Sequence, residues 1–165
     1  MYIGGEFVMY GIHGACKVIG TEKQLVNRKR TEFLVLEPVG KAESRFYVPT
    51  ANETAMAKLC PVLSKPELDA LLHSDEIREG EWISNEGVRK QYYRELMGSC
   101  NRLQLLKMVS TLYRYRNEQL NAGKKFHLCD DNFLRDAERL LCSEISLVQE
   151  KSAEEAREYL RTLLK

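Results

Sequence analysis

The sequence predicts an α+β protein in which a small N-terminal β barrel, residues 1–52, is followed by an all-α helical bundle, residues 53–165. Stretches rich in β-branched and aromatic residues alternate with turn residues in the first third of the chain. Apolar residues then recur at the spacing of helices. The length of 165 residues, with 44% hydrophobic and 30% charged residues, suits one globular domain or two small ones.

Four stretches predict the strands of the barrel. They read EFVMY, ACKVIGTE, TEFLVLEP and SRFYVP, and they are separated by turn residues such as Gly14, the run Asn27–Arg30 and Gly40. In the third stretch the apolar residues 33–36 lie on both faces, as in a central strand of a Tudor- or SH3-like barrel. Pro49 ends strand pairing and marks the exit from the barrel.

Helix signals begin after the barrel. Ser64 and Glu67 form a capping box, which predicts a helix from there to about His73. Residues 74–81 are acidic and contain a glycine, which favours a loop. Four further helices are predicted, over Val88–Met97, Arg102–Asn121, Asp131–Gln149 and from Ser152 onward.

The first of these four helices bears directly on function. Val88, Tyr92 and Leu96 recur at helical spacing and are expected to face the core. The basic residues of the helix would then lie on its other sides: Arg89, Lys90 and Arg94.

Formal charge is segregated along the chain, although the whole carries only +1. Residues 1–52 carry +2 (7 basic, 5 acidic), residues 53–81 carry −4 (3 and 7), residues 82–127 carry +6 (9 and 3), and residues 128–165 carry −3 (6 and 9). The +6 block begins at Trp82, the only tryptophan. A cationic block with an aromatic residue at its edge favours binding to a phosphate backbone, although such blocks also occur on solvated helix faces.

Trp82 and the basic residues of its block are therefore the candidate nucleic-acid contacts. A surface tryptophan has a flat area that can wedge beside a base pair in the minor groove, whereas a core tryptophan would anchor the bundle; the composition supports both readings. The basic residues would contact phosphates without reading sequence. They are Arg89, Lys90, Arg114, Arg116, Lys124 and Lys125.

Enzymatic functions find little support. The sequence contains no Gly-rich phosphate loop, no HExxH and no G-x-S-x-G motif, and its three histidines are isolated. His127 and Cys129 are only two metal donors, and the five cysteines form no CxxC pair. We therefore expect no catalytic residue, cofactor, metal ion or small-molecule substrate. Without a membrane-length apolar run or a secretory signal, a cytoplasmic protein without membrane contact is expected.

Two separated stretches of the sequence match a known pattern. The first consists of GGEFVMYGIHGACKVIG, TEFLVLEP and FYVP, with Tyr10, His13 and Gly14 at the positions of a Tyr-Pro-x-His-Gly motif, and it resembles the N-terminal signature of the bacterial CarD/CdnL transcription regulators. Gly11 stands where the family usually has proline. Trp82 with its basic helix, and the later NAGKK, are similar to the second part of the family pattern.

The resemblance implies different roles for the two domains. Residues 1–52 would bind the β subunit of RNA polymerase, and residues 53–165 would contact promoter DNA at the upstream edge of the melted bubble. There Trp82 would wedge into the minor groove and slow the collapse of the open complex. Relatives present arginines at positions that fall here on Gln24 and Tyr47. The polymerase contact is therefore expected to use Arg28, Lys29 and Arg45 together with Tyr47 itself, or backbone pairing along a strand edge.

Two other classes of function stay open at this point. A protein-interaction adaptor would capture a partner strand at the barrel edge, and its retention on DNA would depend little on salt, unlike that of a phosphate binder. A small-molecule enzyme would need a ligand pocket between barrel and bundle and would be stabilised by a metabolite. The leading hypothesis is a non-enzymatic, polymerase-recruited regulator that stabilises the open promoter complex.

Overall fold

The chain forms two compact units, Met1–Val62 and Leu63–Lys165, in a computed structural model that describes residues 2–164. The predicted domains are residues 1–52 and 53–165, with the boundary expected somewhere between Asn52 and Ser64, and the two units divide after Val62. The later boundary has a structural reason. After the short helix α1 (Glu53–Met56), strand β5 (Leu59–Pro61) returns to the N-terminal sheet and pairs with its first strand.

The N-terminal unit is a five-stranded antiparallel sheet. Besides β5, its strands are β1 (Phe7–Tyr10), β2 (Ala15–Val26), β3 (Lys29–Pro38) and β4 (Phe46–Pro49). The strand order in the sheet is β4-β3-β2-β1-β5. An antiparallel sheet followed by helices confirms the predicted α+β class. β4 and β5 form the two edges of the sheet, and no pairing between them is found within residues 2–164, so closure into a barrel is not confirmed.

The hairpin between β2 and β3 turns through two residues. Asn27 and Arg28 have φ values of 52° and 63°, the left-handed values that a type I′ turn requires at both positions. Val26 pairs with Lys29 directly beside this turn. The turn is therefore shorter than the predicted run Asn27–Arg30, and the last two residues of that run belong to β3.

An apolar cluster on one face of the sheet forms the core of this unit. Alternation along β3 places Leu34 and Leu36 in the cluster, while Val35 is buried on the opposite face. This agrees with the prediction that apolar residues of β3 lie on both faces. The cluster consists of Val8, Cys16, Val18, Leu34, Leu36, Val48 and Leu59.

The second unit consists of helices. Helix α2 has the predicted capping box, because the Ser64 side chain accepts from the Glu67 amide and the Glu67 carboxylate accepts from the Ser64 amide. A short 3-10 helix, Asp75–Arg78, lies in the segment predicted as a loop. No helix within residues 2–164 has both the length and the apolar character needed to cross a bilayer. The helices are α2 (Lys65–Leu72), α3 (Glu86–Met97), α4 (Arg102–Asn121), α5 (Leu128–Val148) and α6 (Ala153–Leu164).

The buried face of α3 differs from the prediction. Val88 and Tyr92, expected in the core, are 57% and 37% exposed. The buried residues are Arg89, Tyr93, Leu96 and Met97, so the helix is turned by about one residue, roughly 100°. Leu96 is buried as predicted. The prediction was wrong for Arg89, because the hydropathy pattern assigns an arginine to solvent, whereas Arg89 has a carboxylate partner inside the unit.

Helix α5 carries three buried carboxylate side chains. Each of its three buried acidic side chains is held by an arginine from a different helix, through two arginine nitrogens. Bidentate arginine–carboxylate bonds fix orientation as well as distance. These bonds therefore help to set how three helices lie against α5. The pairs are Arg89 of α3 with Asp130, Arg102 of α4 with Glu144, and Arg161 of α6 with Glu138.

Candidate nucleic-acid interface

Trp82 lies in the irregular segment between the 3-10 helix and α3, and neighbouring residues fix both ends of this segment. At its end, the Asn85 side chain caps α3 by accepting from the Val88 amide at 3.0 Å. Near its start, Gly80 lies so close to α4 that an added Cβ would be 2.5 Å from the Thr111 Oγ1. Glycine is thus the residue that fits without displacement of α4.

A hydrogen bond reinforces this anchor. The Arg114 Nη2 donates to the Gly80 carbonyl at 3.0 Å. The segment before Trp82 is therefore held to α4 by close contact and by a charged donor.

The indole of Trp82 is covered on both faces. The ring of Tyr115 is stacked on it, with 3.6 Å between ring centroids and 8° between planes. The Cζ of Arg89 lies 4.3 Å from the Trp82 ring centroid. Two groups this close to one centroid would collide on the same side, so Arg89 lies on the face opposite Tyr115. We call this arrangement of Tyr115, Trp82 and Arg89 the Trp82 sandwich.

Trp82 is consequently neither a core residue nor a free surface ring. It is partly buried, and because its faces are occupied, the rim of the indole is what it offers to a ligand. Trp82 therefore lies between the two placements that the sequence left open, a surface tryptophan and a core tryptophan.

Arg89 connects Trp82 to the interior of the unit. The Nε and Nη2 donate to the two carboxylate oxygens of Asp130 at 2.9 and 3.1 Å, and Nη1 donates to the Ile83 carbonyl at 2.9 Å. Arg89 is 5% exposed and Asp130 1%. A guanidinium buried and bonded in this way is not available to a DNA phosphate. The structure thus places Arg89 inside the helical unit rather than on its surface.

The other predicted basic residues are more accessible. Lys90 forms an ion pair with Glu86 at 2.9 Å, and its pKa is raised, chiefly by the hydrogen bond to Glu86. Arg114 is exposed and bonded to Gly80. The remaining three, whose side chains make no ion pair with any residue in the described part of the chain, are Arg116, Lys124 and Lys125.

The helix end and loop after α4 bring these cations near aromatic rings. Gly123 has a φ of 71°, and the Lys124 amide reaches back to the Gln119 carbonyl at 2.8 Å, so the helix ends in a left-handed cap. The chain then places Phe126 with its ring centroid 6.4 Å from that of Tyr115. Trp82, Tyr115 and Phe126 therefore form a row of aromatic residues.

Several residues of this site were not predicted from the sequence. Tyr115 lies between two predicted cations, Arg114 and Arg116, and that alternation was the available signal. Gly80 precedes Trp82 closely in a loop, which was a second signal. Asp130 gave none, because nothing local marks an acidic residue as the partner of a distant arginine.

The residues predicted to bind polymerase lie in two separate parts of the sheet. Arg28 and Lys29 are exposed at the β2–β3 turn. Arg45 and Tyr47 lie beside β3, where Arg45 pairs with Glu37 at 3.5 Å and Tyr47 pairs with Val35 in the strand register. A groove of about 250 Å³ in this second region is lined by Ile19, Gly20, Thr21, Glu22, Val35, Arg45 and Tyr47.

The described part of the chain contains no candidate metal site. Within residues 2–164 no three His, Cys, Asp or Glu side chains are grouped so that they could hold a metal ion.

The comparisons with known proteins concern the N-terminal unit. Residues 2–60 match the family model described as the CarD-like/TRCF RID domain. A search of curated proteins gave no match. The matched domain is a protein-interaction domain rather than a catalytic one, and it indicates a transcription-related protein that interacts with RNA polymerase.

The match also bears on the family. It confirms the CarD-like resemblance inferred from the sequence for residues 2–60. It ends at residue 60 and does not include the helical unit that carries Trp82.

Proposed function

We propose that this protein is a transcription regulator that binds the β subunit of RNA polymerase through its N-terminal unit and stabilises the promoter open complex through its helical unit. Trp82 makes the decisive contact, in the minor groove at the upstream edge of the melted bubble. The protein acts without catalysis and without reading a DNA sequence, because polymerase brings it to the promoter.

The observation that carries this proposal is the Trp82 sandwich beside accessible cations. An aromatic side chain with both faces covered cannot stack fully between two bases. Its rim can still press as a wedge against a base step that is already unstacked, which is the condition at the edge of a bubble. The geometry therefore suits a junction between duplex and melted DNA better than an intact duplex.

Phosphate contacts by nearby lysines and arginines would hold the wedge in register. Such contacts give affinity and orientation without sequence information. Arg89 is left out of the set, because its guanidinium is buried against Asp130. The proposed phosphate contacts are Lys90, Arg114, Arg116, Lys124 and Lys125.

The N-terminal unit offers two features for polymerase. β4 is an edge strand, so its outer backbone groups suit pairing with a strand of a partner protein. The groove next to it combines apolar side chains with the cation of Arg45 and the exposed ring of Tyr47. Arg28 and Lys29, at the hairpin turn, would add a second cationic contact.

The test is the lifetime of open complexes of the cognate polymerase after a competitor challenge. Trp82→Ala should bind polymerase as the wild-type protein does but lose the extension of the lifetime, because the wedge is gone. Tyr159→Ala is a matched control: Tyr159 is also a partly buried ring under a cation, with the Lys151 Nζ 4.1 Å from its centroid, but it lies on α6. Equal lifetimes with wild type and Trp82→Ala would contradict the proposal.

A further inference from the structure

Trp82 is supported by a buried ion pair, because Arg89 lies over its ring and binds Asp130. Burial of two charges is costly, and apolar residues of similar volume often stabilise a core as well or better. Arg89 also contacts more than its carboxylate: it covers one face of Trp82 and binds the backbone that follows it. Stability alone does not account for a charged group at this position.

We propose that Arg89 and Asp130 are positioning residues that hold the Trp82 rim outward for the DNA contact. This inference rests on the proposed function of Trp82. Neither residue touches DNA in this account, since Arg89 is 5% exposed and Asp130 1%. They act through the orientation of the indole.

The hydrogen bonds explain how the orientation is fixed. Two parallel bonds to Asp130, at 2.9 and 3.1 Å, set the plane of the guanidinium. The third nitrogen, Nη1, donates to the Ile83 carbonyl at 2.9 Å and so fixes the chain directly after Trp82. Tyr115 closes the other face. The indole is thus held from both sides, and the next residue in the chain, Ile83, is held by the same guanidinium.

Lysine cannot replace arginine in this role. Its ammonium is a compact charge and cannot form two parallel bonds to a carboxylate while also presenting a flat face to a ring. Arg89→Lys therefore keeps the charge and removes the positioning. Asp130→Asn makes the complementary change, because it leaves the arginine in place and removes the charge that orients it.

The same unit contains a matched control. Arg102 binds Glu144 through Nε at 3.0 Å and Nη2 at 2.8 Å, and Glu144 is 2% exposed. Glu144 is 14 residues after Asp130 on α5, which at 1.5 Å per residue separates the two pairs by about 21 Å along the helix. Arg102→Lys thus weakens a buried bidentate pair far from Trp82.

Fluorescence gives a readout that does not require DNA or polymerase. Trp82 is the only tryptophan in this sequence, so all tryptophan emission of the 165-residue chain comes from the sandwich. We expect Arg89→Lys and Asp130→Asn to increase quenching by acrylamide and to shift the emission, whereas Arg102→Lys leaves both as in the wild type. Circular dichroism and thermal unfolding identify any variant that fails to fold. If Arg89→Lys fails to fold, the comparison is made with Asp130→Asn alone.

The lifetime of polymerase–promoter open complexes supplies the functional readout for the same variants. Arg89→Lys and Asp130→Asn should lose at least about half of the lifetime extension that depends on Trp82, while Arg102→Lys retains it. Unchanged quenching in both variants would overturn the positioning role. Altered quenching in these variants, together with a full extension of the open-complex lifetime, would also overturn the positioning role.

Failure of the proposed function would look different. In that case the wild-type protein itself would not extend the lifetime, and a role in DNA contact would be overturned for all three residues. The quenching comparison would still show whether Arg89 and Asp130 hold the indole.

Discussion

Both units have apolar cores, but within the described residues only the helical unit also buries charged side chains. The buried cluster of the sheet is apolar, with residues such as Val8, Leu36 and Val48 fully inaccessible. In the described part of the chain, every buried charged residue belongs to the helical unit: Arg89, Asp130, Glu138 and Glu144. Apolar burial is not directional, whereas a bidentate ion pair is. The helical unit therefore fixes orientations, and the sheet mainly excludes water.

This difference corresponds to the roles proposed for the two units. A protein-binding sheet needs a stable surface, which an apolar core supplies. A wedge that acts through one ring needs that ring at a defined angle, and the pair of Arg89 and Asp130 provides this at one end of α5.

The largest effect is expected from removing one buried charge with little change in volume. Glu144→Gln leaves Arg102 without its carboxylate in a mostly buried setting, so the free energy of unfolding should fall by about 3–5 kcal/mol. In the sheet, Leu36→Met also keeps the volume and should cost less than about 1.5 kcal/mol. Urea denaturation of both variants gives the comparison.

A further variant checks the reason for the large effect. Replacing both partners, Arg102→Met with Glu144→Leu, removes the unpaired charge and should restore most of the lost stability. A cost of Glu144→Gln no larger than that of Leu36→Met would contradict the view that charges determine the helical interior.

A smaller difference is expected between two buried tyrosines of the helical unit. The Tyr113 hydroxyl donates to the Glu138 carboxylate, whereas the Tyr93 hydroxyl has no partner among the described residues. Tyr113→Phe should therefore cost about 1–3 kcal/mol, because Glu138 loses a donor. Tyr93→Phe should be neutral or stabilising. Thermal unfolding at neutral pH measures both, and equal losses would show that the Glu138 bond adds nothing.

The alkaline behaviour of Tyr93 provides an independent check. Burial raises its pKa from 10.0 to about 12. Its neutral form is favoured in the folded state, so its contribution is complete below pH 10 and is lost as the pH rises toward 12. Tyr93→Phe should lose less stability than the wild type over this interval. An identical pH profile would contradict this assignment.

The smallest effect is expected from a local feature, the capping box of α2. Ser64→Ala should cost about 1 kcal/mol, since the helix loses an acceptor at its first turn. The hydrogen bonds from Ser64 also lower the pKa of Glu67 below its ordinary 4.5. Their contribution is present above pH 4.5 and is lost as the pH falls through the lower folded pKa.

The cap is tested by comparing acid unfolding of the wild-type protein and Ser64→Ala. The difference in stability between them should shrink at acid pH. A constant difference down to the lowest pH would mean that the Ser64 side chain does not contribute to the lowered pKa of Glu67.

Local patterns allowed much of the fold to be predicted. The four longer strands and the capping box follow from residue types next to each other in the chain, and the structure confirms them. β5 and α1 were missed, because segments of three and four residues show no periodicity. The later division of the units, after Val62, follows from that omission.

The candidate site was less predictable for a physical reason. Trp82 and the accessible cations could be named from charge and composition. The role of Arg89 could not, because it depends on Asp130 and Tyr115, which are distant in sequence and come close only in the folded unit. Hydropathy alone places a charged residue outside, and a buried ion pair is the case in which this rule fails.

The central claim is that Trp82 prolongs the open complex, and the most direct measurement compares open-complex lifetimes with no protein, with the wild-type protein and with Trp82→Ala. The account predicts a longer lifetime with the wild-type protein and a lifetime near the protein-free value with Trp82→Ala, although both proteins bind polymerase. The same extension by both proteins, or none by the wild-type protein on several promoters, would contradict it.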